Sequence, residues 1–594
     1  MPGMNSGLSP SDPTLVAAFR SALLHQGAIA LLMLVFLWLL WATARTWRPA
    51  VSAGTSGVTA GEPAEARARW LLRTGFGVLW IFDGILQAQP KMAGGLATQV
   101  MEPIAASSPG WVQHLVNWGG TAWSYHPIQA GAASVWIQVG IGTWLIVAVR
   151  GPWSRLAGAA SVTWGLIVWV FGESFGGIFA PGLSWLTGAP GAVLIYVVAG
   201  ALIALPEGAW RVPRPGRLLL AGLGVFFAAM AVLQAWPGRG FWPGRAAAKP
   251  GTLSRMVTEM AGTPQPHFLS SLLSGFASFA TRYGFAVNLV VVIALAAMGA
   301  AFLSGRPRLV RYAMWSGIVF CLADWVLVQD LGFLGGLGTD PNSMIPLIVL
   351  FSAGYLALTP AAQEAEAPAR AAEAKRPGVR SVAAAGALAV ILLGAAPMAA
   401  AAVNRTADPI LALAISGDST SLNLPAPGFS LTDQNGRTVS LAGLRGKVVL
   451  MTFLDPVCTS DCPIIAQEFK QTGQMLGAQA KNVELVAVVA NPTYRSTAFT
   501  RAFDRQEGLT AVPDWLYLTG SLSQLGAVWR HYGVTVANLP AGAMAAHNDL
   551  AVVIDPAGRI RQELSCDPGP ATVSTRSSFS VLLGQYARQA LRQS

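Results

Sequence analysis

Apolar residues along the first two thirds of the chain gather into ten nearly continuous runs, roughly 28–44, 70–88, 127–149, 156–174, 190–206, 217–236, 285–304, 309–329, 344–359 and 381–402. Most reach the ~17 residues that a spanning helix needs, which predicts a polytopic α-helical membrane domain of about ten transmembrane helices. From Asn423 the pattern changes. A strand-like FSLTD leads through a turn at Asn435-Gly436 to a second short strand, Thr438 to Leu441, and then to a core strand in LRGKVVLMTFL that ends at Leu454. A helix follows at Ile464 to Leu476, then a buried strand at 483–490, a shorter one at 513–520, a helix in SLSQLGAVWRHYG, and a strand at 550–555 closed by the turn DPAGR. Strands alternating with helices describe a soluble α/β domain.

Composition agrees with a division into lipid and water. The 594 residues are 53% hydrophobic and 11% charged, with a mean hydropathy of +0.49, whereas a soluble domain carries about a quarter charged residues. The net charge of +11 falls in short clusters between the apolar runs, a pattern of membrane topology and not of a nucleic-acid groove. Arg45, Arg48, Arg67, Arg69 and Arg73 follow the first run, Arg150 and Arg155 the third, and Arg211, Arg214 and Arg217 the fifth. Arg306, Arg308 and Arg311 follow the seventh, and Arg370, Lys375, Arg376 and Arg380 the ninth. Every odd run thus ends in a basic loop, which the positive-inside rule places in the cytoplasm. The expected location is a bacterial plasma membrane, with the N-terminus and everything after Ala402 extracytoplasmic. Charge after the first run, not before it, favours an anchor over a cleaved signal peptide.

The membrane part carries an internal repeat. GFGVLWIFDGILQAQP at 75–90 and GLGVFFAAMAVLQAWP at 222–237 agree at seven of sixteen positions, and Trp169, Glu173 and Gly176 correspond to Trp325, Gln329 and Gly332. The expected domains are an N-terminal segment with the first helix (1–69), two four-helix repeats (70–206 and 207–359), a linker with the last helix and a tether (360–422), and the exported domain (423–594). Both repeats start inside, unlike the inverted repeats of many transporters. Trp111, His114, Trp118, Trp123 and His126 in the outer loop of the first repeat suit an interfacial helix. Asp83 lies ten residues beyond Arg73, about 15 Å deep at helical rise, where an ionisable group is a functional candidate unless it is paired, with Arg73 or with a neighbouring helix. Glu173 and Asp324 share that ambiguity nearer the outer face, and Met230 stands at the position equivalent to Asp83.

The chemistry concentrates in Asp455 to Pro463, read DPVCTSDCP, which sets Cys458 and Cys462 between a strand and a helix. Thiols on a first helical turn have their pKa lowered by the helix dipole, although Asp461 between them opposes this. Four-residue spacing leaves a soft-metal site and a redox dithiol both open. Three of the four cysteines lie in this last domain, the third being Cys566, a candidate resolving thiol, extra ligand or buried side chain.

With the PGFSLTDQNG entry, the LRGKVVLMTF strand, C-x-x-x-C-P at Cys458, Cys462 and Pro463, and His547 eight residues before Asp555, the domain resembles the Sco/SenC family of copper-binding thioredoxin-like proteins. That resemblance implies copper held by Cys458, Cys462 and His547, with delivery to the copper site of cytochrome c oxidase, whose copper-site subunit is the expected partner. Thr459 and Ala546 stand where the family often has Pro and Asp. His531 is read as structural, and an acceptor for the second ring nitrogen of His547 is expected but not identified. The four-helix unit resembles the DoxX-like membrane family, through the start at Arg73 to Gly84. The leading expectation is a membrane-anchored copper metallochaperone. The alternative is an extracytoplasmic thiol–disulfide oxidoreductase in which Cys458 and Cys462 are a redox pair, exchanging with a thiol partner and fed electrons through the membrane domain. A permease would need a polar path, which the few in-membrane charges do not supply.

Overall fold

The computed structural model describes residues 13–46, 65–180, 183–242, 251–263, 265–334, 337–358, 377–403, 411, 419–459, 461–538, 545–565 and 578–592. The charged linker expected at 359–380 lies mostly outside these, as does Cys566. The chain forms two compact units: residues 24–89 with 132–396, and residues 1–23 with 90–131 and 397–594.

The first of these units is helical. Its helices are α1 (Pro13–Thr46), α2 (Arg67–Gln87), α4 (Pro127–Val147), α5 (Gly151–Phe171), α6 (Ala192–Ala204), α7 (Arg214–Ala235), α8 (Thr252–Ala261), α9 (His267–Ser304), α10 (Pro307–Leu327), α11 (Met344–Leu358) and α12 (Pro377–Val403), of which α1, α4 and α12 continue into the second unit; α3 (Gly110–Tyr125) belongs wholly to that second unit. All ten apolar runs lie on helices. Among the described residues seven stretches are long and apolar enough to cross a membrane: Leu15–Leu40, Pro127–Val147, Gly151–Phe171, Arg214–Ala235, His267–Ser304, Pro307–Leu327 and Ser381–Ala400. Helices α6 and α11 are apolar but shorter, at 13 and 15 residues, and α2 carries Arg67, Arg69, Arg73 and Asp83. Helix α9 is kinked at Tyr283, so the apolar run expected from residue 285 is its second half and a Ser- and Thr-bearing first half precedes it.

Close helix crossings fall at paired glycines. A Cβ at Gly77 would stand 2.9 Å from the Gly142 carbonyl oxygen, and one at Gly224, the position aligned with Gly77, 3.0 Å from that of Gly299. Small residues let apolar helices approach backbone to backbone. Trp169 and Trp325, also aligned, donate their indole N–H to the carbonyls of Pro190 and Pro341, each at 2.8 Å. Arg73 does not pair with Asp83. It binds Glu65 at 3.0 Å and the Leu145 carbonyl at 2.7 Å, so that guanidinium does not neutralise Asp83, which is buried beside Tyr196, Asp340 and Glu173.

The second unit holds a six-stranded sheet in the order β1-β10-β9-β4-β5-β6, from β1 (Ser419–Pro425), β4 (Val448–Leu454), β5 (Val483–Val489), β6 (Trp515–Leu518), β9 (Leu550–Ile554) and β10 (Arg559–Ser565). Strands β4, β5 and β6 are parallel, and β9 runs antiparallel to β4. Central strand β4 is buried on both faces, which is why it reads as an unbroken apolar run. Hairpins β2 (Ser430–Thr432) with β3 (Thr438–Ser440) and β7 (Val536–Asn538) with β8 (Ala545–His547) flank it. Helices α13 (Asp461–Leu476), α14 (Thr497–Gln506), α15 (Leu522–His531) and α16 (Phe579–Arg592) complete the domain. Helix α15 starts at a capping box, Ser521 with Gln524. Strand β1 takes in residues 419–422, which the sequence reading assigned to a tether. It is an exposed edge without alternation, held by backbone pairing to β10, so hydropathy carries no trace of it.

Candidate functional site

The strand-to-helix junction at the end of β4 places the two cysteines differently from the sequence expectation. Cys462 is the second residue of α13, but Cys458 lies in the loop before it. The Asp455 side chain makes that loop: its Oδ1 accepts from the Val457 amide at 3.0 Å, and the Cys458 amide donates to the Asp455 carbonyl at 3.1 Å. A turn therefore carries Cys458 ahead of the helix that begins at Asp461. The thiols still meet, the Cys462 side chain being hydrogen-bonded to that of Cys458.

His547 ends β8, where it pairs with Val536. Its Nε2 lies 3.5 Å from Cys462 Sγ. Its Nδ1 faces two acceptors, the Asn548 carbonyl and Asp549 Oδ1, each at 3.4 Å. Two acceptors at Nδ1 assign the ring proton there and leave the Nε2 lone pair towards sulfur. The expected acceptor is thus found in the adjacent residues, and Asp549 is a site residue that the sequence reading missed. Asp455 is a second. Its Oδ2 accepts from the Ala545 amide at 2.7 Å and from Asn491 Nδ2 at 3.0 Å, tying the strand that carries His547 to the loop that carries Cys458. The only sequence signal for this would have been a carboxylate at the end of a buried strand.

Cys458, Cys462 and His547 are all buried, with Cys462 1% exposed. Burial pushes the Cys462 thiol well above its ordinary value, with Cys458, Asp549 and Asp455 adding to the shift. This corrects the expectation of a thiol lowered by the helix dipole: desolvation of a thiolate outweighs half a charge at the helix end. Burial also lowers the His547 pKa, opposed by Asp455, the Asn548 carbonyl and Asp461. The resting pair at neutral pH is a protonated Cys462 thiol beside a neutral imidazole.

The donor atoms suit a soft metal. An ion bound at about 2.3 Å from sulfur and about 2.0 Å from nitrogen holds those atoms roughly 3.5–3.7 Å apart at tetrahedral to trigonal angles, close to the observed 3.5 Å. The arrangement is not a closed cage: among the described residues no group of three His, Cys, Asp or Glu side chains stands ready around one point. Binding would draw Cys458 in and release a thiol proton. His531 is exposed in the last turn of α15, away from this chemistry.

A family model described as SCO1/SenC matches residues 418–576. No curated protein matches the chain. Among solved structures, Bradyrhizobium japonicum ScoI with copper bound is 20% identical, covers 28% of this chain and 99% of its own, and superposes with a TM-score of 0.23. A SCO1/SenC family lipoprotein from Bacillus anthracis is 19% identical, covers 29% of this chain and 98% of its own, with a TM-score of 0.26. Yeast Sco1 with copper bound is 15% identical, covers 28% and 89%, with a TM-score of 0.24.

Proposed function

We propose that this chain is a membrane-anchored copper metallochaperone that serves the copper site of cytochrome c oxidase, holding one copper ion between Cys458, Cys462 and His547. The observation that carries this reading is the 3.5 Å approach of His547 Nε2 to Cys462 Sγ beside Cys458, since disulfide exchange alone makes no use of an imidazole there. The match of residues 418–576 to SCO1/SenC supports it. Thiolates select Cu(I), and an added imidazole lets the same site hold Cu(II). Copper is the cargo, and the residues act around it: Cys462 gives up its proton on loading, His547 offers Nε2, and Asp549 and the Asn548 carbonyl hold the ring in that tautomer.

The membrane part is read as about ten spanning helices built on two DoxX-like four-helix copies. The aligned crossings at Gly77 and Gly224, and the aligned indole bonds of Trp169 and Trp325, support the duplication. It anchors the thiol domain on the extracytoplasmic side of a bacterial plasma membrane. A second reading, a thiol–disulfide oxidoreductase, is favoured by the contact between Cys458 and Cys462.

Anaerobic titration of the reduced full-length protein separates the two. One copper per chain is expected, lost in Cys458→Ser and Cys462→Ser, with Cu(II) binding impaired in His547→Ala. Copper binding indifferent to His547 would sink the chaperone reading and leave a redox dithiol.

A further inference from the structure

Helix α13 is buried all round over Asp461 to Phe469, nine consecutive residues that include Asp461, Gln467 and Glu468. A helix lying on a sheet normally keeps one face wet, so three different surfaces must cover this one. The sheet covers the first. Helix α16 covers the second, with Glu468 accepting from the Ser580 amide at 2.8 Å and Phe469 packed on Phe579. The third cover comes from elsewhere in the chain, the segment joining α2 to α4, which belongs to the same compact unit.

That segment comprises short turns at Met92–Gly95 and Glu102–Ala105, a π-helical stretch Leu96–Met101, and α3. Helix α3 buries Val112, Val116, Gly120 and Ser124, one face at fourfold spacing, while Trp111 and Trp118 are exposed. At Gly120 it meets the thiol loop. A Cβ built there would stand 3.8 Å from the Cβ of Thr459, the residue next to Cys458. One turn on, the Tyr125 hydroxyl lies 3.5 Å from Gln467 Nε2. Ile128 and Leu15 join the buried core of the thiol domain itself.

We propose that residues 92–128 form a cap that closes the thiol–imidazole site, and that the cap must lift before cargo or a partner thiol can reach Cys458 and Cys462. Gly120 is the contact residue because a larger side chain would press on Thr459. The device follows from cover over the thiols, and it holds whether the site exchanges copper or disulfides. A capped resting state keeps reduced thiols from stray oxidants and lets a docking partner control their exposure.

Two measurements on the full-length protein in native membranes test this. In a Cys321→Ser, Cys566→Ser background, a membrane-impermeant maleimide should label Cys458 and Cys462 slowly, and about tenfold or more faster in Gly120→Leu, where overpacking lifts the cap. Gly110→Ala should label like the parent, because nothing lies within 4 Å of a Cβ at Gly110. With all four native cysteines replaced by serine, Gly120→Cys with Thr459→Cys should join under diamide, since the implied Cβ separation of 3.8 Å suits a disulfide. A protease site placed in the tether at 404–410 then leaves the two fragments linked until reduction. Fast labelling of the parent, unchanged in Gly120→Leu, or failure of the engineered pair to join in the folded protein, would overturn the cap. Neither outcome depends on copper, so the titration above can fail or succeed separately.

Discussion

At the scale of single residues, the thiol domain is organised by carboxyl groups that water does not reach. Asp455 is held by two backbone amides and Asn491, and so fixes both sides of the site. Glu507 differs: it is fully buried, and its carboxyl finds no hydrogen-bond partner among the described residues. Burial pushes its pKa from 4.5 up to about 8. The folded state therefore binds more protons than the unfolded state between those values. Its contribution to stability is fully present below about pH 4.5 and is lost as pH rises through about 8. Glu507→Gln should be nearly neutral at pH 5 and stabilise the domain by on the order of 2–4 kcal/mol at pH 9, read by calorimetry at both values. Equal effects at the two pH values would show that the carboxyl is solvated. Cys458, Cys462 and His547 could be chosen as candidates from the sequence because their side chains declare their chemistry. Asp455 and Asp549 were not, because an aspartate means little until the fold shows what it touches.

At the scale of elements, β4 and α13 set the site and α16 secures it. The Glu468 Oε2 acceptor for the Ser580 amide is the polar clasp between α13 and α16. Glu468→Ala would strip a buried amide of its acceptor, costing about 1–3 kcal/mol. Amides of α16 should then exchange with deuterium faster than those of β4 and β5. Uniform exchange across all three would mean that α16 is held by apolar packing alone. Helix α16, α14 and the edge strand β1 went unforeseen. The first two are short amphipathic stretches whose apolar face acquires meaning only opposite the sheet, and β1 has no buried face at all.

At the scale of the whole molecule, a helical part with seven stretches long and apolar enough to cross a membrane shares one chain with a thiol domain, and the proposed orientation rests on charge. Basic loops follow the odd apolar runs, so a reporter fused within the 360–376 linker should be active only as a cytoplasmic fusion. One fused after Ser594 should be active only when exported, as for a periplasmic phosphatase. The reverse pattern would invert the proposed topology and place the thiols in a reducing compartment. The segment between α2 and α4 also acquires a second role at this scale. Its aromatic face, Trp111 and Trp118, suits the interfacial helix expected from sequence, while its opposite face lies on the thiol loop.

Sequence by itself determined what depends on local composition and period: the apolar runs, the order of strands and helices around the cysteine motif, and the choice of two thiols and an imidazole as candidates. These are written in neighbouring residues, where hydropathy, turn chemistry and motif spacing act. Tertiary structure alone decided what depends on residues far apart in the chain. It set Cys462 against His547 across 85 positions, found acceptors for the imidazole, and raised the thiol pKa by burial where a helix end suggested the opposite. It also brought Gly120 against Thr459 and Tyr125 against Gln467, each pair more than three hundred positions apart. Burial and convergence are properties of packing, and no window of sequence contains them.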